Sequence, residues 1–77
     1  MNTLTADKVQ AAREDWRRDE AAWMAAEDRV HEGIREGLPE AEQAERHREA
    51  ERTYQDYCAA RADLEYQKRR AAERAAA

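Results

Sequence analysis

Apolar residues return every seven positions in two separate stretches of this chain. Val9, Trp16, Trp23 and Val30 form one series, and Ala50, Tyr57, Leu64 and Ala71 form the other. A seven-residue apolar repeat fits helices packed along their length, because such positions come back to one helix face. Between the two series stands Gly37-Leu38-Pro39, which holds the only proline. Glycine ends helices in the left-handed conformation, and proline suits the first position of the next helix. The pattern therefore predicts an all-α fold, an antiparallel two-helix hairpin forming a single domain. Helix one is expected over about 5–36, the turn over 37–39, and helix two over about 39–75.

Folding the chain about Leu38 gives the register. With Val9, Trp16, Trp23 and Val30 at heptad position a, position d of arm one is Ala12, Asp19, Ala26 and Gly33. In arm two, a is Gln43, Ala50, Tyr57, Leu64 and Ala71, and d is Arg46, Thr53, Ala60, Gln67 and Arg74. Antiparallel pairing sets a against d of the other arm. Trp16 then faces Ala60, Trp23 faces Thr53, Ala12 faces Leu64, and Ala26 faces Ala50. Large opposes small, which fills a seam without overpacking. The expected core is thus Val9, Ala12, Trp16, Trp23, Ala26, Val30, Ala50, Thr53, Tyr57, Ala60 and Leu64. Three layers break the rule. Val30 faces Arg46, Gly33 faces Gln43, and Asp19 faces Tyr57, whose hydroxyl is within reach of that carboxylate. The turn end is expected to be thinly packed.

Local signals support both arms. Thr5 is a candidate cap for helix one, with Asp7 near its positive end. Helix two opens on Pro39 with Glu40, Glu42 and Glu45 and ends on Lys68, Arg69, Arg70 and Arg74, a gradient favourable to its dipole. Glu14–Arg18, Glu42–Arg46 and Glu65–Arg69 place an acid four residues before a base, each pair adding about 0.2–0.5 kcal/mol. Gly33 inside helix one costs about 1 kcal/mol against alanine.

Composition changes the picture in one respect. Charged residues make up 42% of the 77 positions and aromatics 6%, so a lone hairpin has little to bury. Self-association or a partner is the expected source of the missing burial. Two hairpins joined antiparallel give a C2 four-helix dimer, favoured by a basic open end and an acidic turn end. Net charge is -4 with an isoelectric point near 5.2, which offers nucleic acid no overall basic field. No apolar run approaches the roughly 20 residues of a membrane span. The first residues lack the basic and apolar regions of a signal peptide. One cysteine, Cys58, excludes an internal disulfide and suits a reducing compartment. A cytoplasmic protein is expected.

No catalytic constellation is visible, and no enzyme, cofactor or metal function is expected. His31 and His47 nearly face each other, yet no Cys-x-x-Cys or His-Glu-x-x-His spacing accompanies them. Two thin helices enclose no pocket to activate Cys58 or to shift a carboxylate. What remains is surface. Met24, Tyr54 and Cys58 lie beside the seam, and Ile34 and Leu38 have little opposite them in their own chain. Tyr66 points away from the seam. With Trp23, Arg69 and Arg70, these residues are the candidate partner-binding set, since tryptophan, tyrosine and arginine dominate binding hot spots.

In length, alanine-rich charged helices, the Gly37-Leu38-Pro39 turn and the lack of catalytic motifs, the chain resembles small helical-hairpin proteins made by phages of GC-rich bacteria. Twelve arginines against two lysines agree with such a genome. Some of those proteins sequester host transcription regulators, including quorum-sensing regulators, or block a pilus assembly ATPase. The resemblance implies a non-catalytic anti-activator, acting in the host cytoplasm by covering a host protein. Two other readings stand beside it: a structural coiled-coil subunit of a larger assembly, and a weak nucleic-acid-associated protein.

Overall fold

The computed structural model describes the backbone of residues 3–77 and the side chains of residues 7–77. Two helices, α1 (Thr3–Glu36) and α2 (Glu40–Ala76), lie side by side in a rod of 58 × 13 × 13 Å. At about 1.5 Å per residue each helix runs nearly the full length of that rod. The all-α hairpin expected from the heptads is the observed fold.

Every seam position of both arms from Val9 to Ala71 is buried or half-buried, and only Arg74, in the last turn of α2, is exposed. The buried apolar residues are small: Ala12, Ala26, Val30, Ala50 and Leu64. Ala26, Val30 and Ala50 touch as one cluster, and Ala12 and Leu64, which the register sets opposite each other, are each buried toward the open end. Among the described residues no large side chain is completely buried. The radius of gyration is 17.3 Å, against about 11.5 Å for a compact domain of this length. This rod buries little per residue.

The turn is a Schellman cap. Gly37 sits at φ 66, in the left-handed region. The Gly37 amide donates to the Ile34 carbonyl (3.1 Å) and the Leu38 amide to the Gly33 carbonyl (3.0 Å). Nothing lies near a Cβ built on Gly37, so Gly37→Ala carries conformational strain alone. It is expected to cost about 1 kcal/mol, and Gly37→Asn clearly less, in urea unfolding followed by circular dichroism. Leu38 half-buries its side chain, with Cδ1 3.3 Å from the point where Gly33 would carry a Cβ. Part of its apolar surface is therefore covered inside the turn.

The polar seam residues at this end have a use the heptad did not suggest. The Arg46 guanidinium crosses to α1 and donates to the Arg29 carbonyl (2.7 Å), its stem passing over Gly33. Gln43 donates to the Leu38 carbonyl (2.7 Å). The turn end is filled by these two clamps, and Gly33 leaves the space that Arg46 occupies.

Several end expectations are corrected. Helix α1 begins at Thr3, which places Asp7 beyond the first turn and leaves that turn without an acid. The cap expected from Thr5 lies outside the described side chains. Pro39 stands just outside α2 at φ -54, ψ 148 and does not open it. Its carbonyl instead receives the Glu42 and Gln43 amides, each at 3.0 Å. The acid-first pairs four apart are replaced. Arg18 binds Asp15 and Asp19, Glu65 binds Lys68, Glu14 takes the Gln10 amide, and Arg46 leaves for the backbone.

Candidate protein-interaction surfaces

The middle of the seam is aromatic, and its arrangement goes beyond large-against-small pairing. Tyr57 stacks on Trp23 at 5.2 Å and 19°, and on Trp16 at 6.4 Å and 26°. Tyr54 tilts against Trp23 at 5.1 Å and lies 6.3 Å from Tyr57. Offset and tilted pairs at these separations are attractive beyond area burial. The expected Tyr57–Asp19 hydrogen bond is absent among the described residues, because Tyr57 is held through its ring and Asp19 pairs with Arg18 (3.7 Å). Thr53, expected opposite Trp23, turns its hydroxyl back onto the Glu49 and Ala50 carbonyls.

The two tryptophans differ in their polar ends. Trp23 Nε1 donates to Glu27 Oε1 (3.3 Å), which draws the indole toward one flank of the hairpin. Trp16 Nε1 is buried with no partner among the described residues, a burden of about 1–3 kcal/mol. Trp16 is a seam residue, whereas Trp23 belongs to both seam and surface.

That flank is formed by heptad positions e and b of both arms. On α1 it carries Met24 and Ile34; on α2 it carries Tyr54 and Cys58. Met24 is 58% exposed, Ile34 55% and Tyr54 44%. Cys58 is an exposed free thiol one helical turn beyond Tyr54. A hydrogen bond to Cys58 and repulsion from its thiolate hold the Tyr54 phenol above its ordinary value near 10.0, with smaller contributions from burial, Tyr57 and Glu51. The sign is that of an acid whose protonated form the fold favours: the contribution is present below the ordinary tyrosine range and is lost as pH rises through the shifted value. Ultraviolet titration is expected to show one tyrosine ionising late, and Cys58→Ala is expected to bring it back toward 10.0.

Tyr66 occupies another face. It stands at heptad position c of α2, 49% exposed, with Arg69 and Arg70 one turn on. The partner-binding set read from sequence thus divides. Trp23, Met24, Ile34, Tyr54 and Cys58 share the flank; Tyr66, Arg69 and Arg70 lie on the outer side of α2; Leu38 is partly taken up by the turn.

The basic cluster at the open end is diluted by its own carboxylates, since Lys68 pairs with Glu65 (3.7 Å) and Arg70 with Glu73 (3.9 Å). Val9 is half-buried there. At the turn end Arg48 pairs with Glu45 and holds its carboxyl below the usual range, and Arg52 pairs with Glu49. The His47 ring meets the Gln43 carbonyl (2.8 Å). Among the described residues no three histidine, cysteine or carboxylate side chains gather to hold a metal ion. No described helix is long and apolar enough to cross a membrane. Compared with known protein families, characterised proteins and solved structures, the chain finds no match.

Proposed function

We propose that this chain is a non-catalytic protein-interaction module that binds a regulatory protein and inhibits it by occlusion. The observation that carries the reading is the division of its apolar residues. The hairpin closes on alanine, valine, leucine and a stacked aromatic centre, yet Met24, Ile34, Tyr54 and Tyr66 stand exposed. Large apolar side chains left out of a core this sparse mark interaction surface. A rigid rod gives up little entropy on docking, so a few aromatic anchors ringed by arginine and glutamate supply affinity and specificity.

The outer side of α2 is the face for the regulator, with Tyr66 as anchor and Arg69 and Arg70 beside it. The phage-protein resemblance makes the target a host transcription activator or a pilus ATPase. The test titrates the chain into purified activator bound to its operator, or into the ATPase, and follows operator release or ATP hydrolysis. Activity is expected to fall stoichiometrically with wild-type chain and to persist with Tyr66→Ala, whose helicity stays native. Full activity of both proteins at saturating chain contradicts the reading. The rod shape and two separate apolar faces also suit a structural coiled-coil subunit, which light scattering identifies by open-ended, elongated oligomers.

A further inference from the structure

The flank bearing Met24, Tyr54 and Cys58 has its own charge pattern. Toward the open end it carries Arg13, Arg17 and Arg61, which make no ion pair among the described residues; the Lys68–Glu65 pair beside them cancels. Toward the turn it carries Glu27, Glu40 and Glu51, which likewise make no ion pair among the described residues; Glu20, one turn before Met24, stands on the open-end side. Glu27 and Glu51 accept only from neutral donors, Trp23 and Gln55. Other charges answer one another locally, as in Asp15–Arg18, Glu45–Arg48 and Glu49–Arg52. The flank thus has a net basic half, in which Glu20 is the one unpaired acid named, and an acidic half, with Met24, Trp23 and Tyr54 between them near mid-length.

A surface with that layout is complementary to itself turned end for end. Rotation about a twofold axis through its apolar centre lays the basic half of one copy on the acidic half of the other, as an isologous contact requires. Area points the same way. The hairpin exposes 5795 Å², against about 4,900 Å² for a compact monomer of its mass. The excess is close to the roughly 800 Å² that one partner buries in a standard interface.

We infer that a second copy of this chain docks on the flank of Met24, Trp23, Tyr54 and Cys58, antiparallel, about a twofold axis at Tyr54 and Met24. This rests on reading the flank as interaction surface, and it leaves Tyr66 outward on both copies, where a dimer presents two regulator-binding faces.

Sedimentation equilibrium of the full chain is the test, with circular dichroism to confirm helicity of every variant. Wild type is expected at twice 9.0 kDa. Tyr54→Glu and Met24→Glu are expected to weaken the dimer about 30-fold or more, while Tyr66→Glu leaves it unchanged. A second arm tests orientation. Arg13→Glu with Arg17→Glu makes the flank predominantly acidic; Glu27→Lys with Glu51→Lys makes it predominantly basic. Each variant alone is expected to be monomeric, and the mixture to form a 1:1 heterodimer that salt weakens. A monomeric wild type at all concentrations, a dimer broken by Tyr66→Glu and not by Tyr54→Glu, or charge variants that fail to pair when mixed would each overturn the inference. Stoichiometric inhibition of the regulator by a monomeric wild type would leave the occlusion reading standing while removing this one.

Discussion

Tyr57→Ala is expected to destabilise the hairpin by about 3 kcal/mol, the largest loss for any single aromatic residue here. The ring is stacked on Trp23 at 5.2 Å and on Trp16 at 6.4 Å, so its removal breaks two of the three ring contacts between the arms among the described residues. Tyr57 is half-buried, which places the cavity cost at the low end of the aromatic range, but three ring pairs are lost with it. Marginal folds hold on the order of 5 kcal/mol in all, so this variant is expected to keep only about 2 kcal/mol and to unfold at much lower urea than wild type. Urea unfolding followed by far-ultraviolet circular dichroism and tryptophan emission measures the loss. Tyr57→Phe keeps the ring and is expected to retain nearly all the stability. A Tyr57→Ala variant within about 0.5 kcal/mol of wild type, the spread of neutral surface changes, would show that the stack contributes nothing.

Leu64→Ala is expected to cost about 2–3 kcal/mol, because Leu64, 6% exposed, is the largest residue of the buried set. In a domain of this size that lowers the melting temperature by roughly 10–20 °C. Its partner layer makes the result diagnostic. Ala12 is 3% exposed, and antiparallel pairing sets it against Leu64. Adding Ala12→Leu to Leu64→Ala returns the lost volume to the same layer, so the double variant is expected to recover more than half of the loss. Ala12→Leu alone overpacks the seam, at about 1–3 kcal/mol. Two losses that simply add would mean that the residues do not share a layer.

The heptad made most of the fold legible. Repeat, turn glycine and small buried partners all point to one pairing, and the burial of Ala12, Ala26, Val30, Ala50 and Leu64 follows it. The aromatic centre was not legible, for a physical reason. Layer-by-layer pairing treats each side chain as confined to its own layer, but an indole or phenol ring spans more than one, so Trp16, Trp23 and Tyr57 meet across layers. Arg46 and Gln43 read as flaws in an apolar seam; instead the Arg46 side chain passes Gly33 to reach a backbone carbonyl on the opposite arm, and Gln43 donates to the Leu38 carbonyl of the turn. The exposure of Met24, Ile34, Tyr54 and Tyr66 was readable, since all four stand off the seam. Their division into a flank and an outer face needed the handedness of the packed helices, which the tilt of Trp23 toward Tyr54 and Glu27 supplies.

Both proposed faces exist only if the two arms lie side by side with the turn at Gly37. A pair of nitroxide labels tests that most directly, placed at Ala11→Cys and Ala62→Cys in a Cys58→Ser background and diluted with unlabelled chain. Both positions are exposed on the outer sides of a rod 13 Å across. Pulsed electron resonance is expected to give a single distance within about 30 Å, rod width plus two label arms. A distance near 75 Å, which about 1.5 Å per residue gives for one unbroken helix between the labels, would contradict the account.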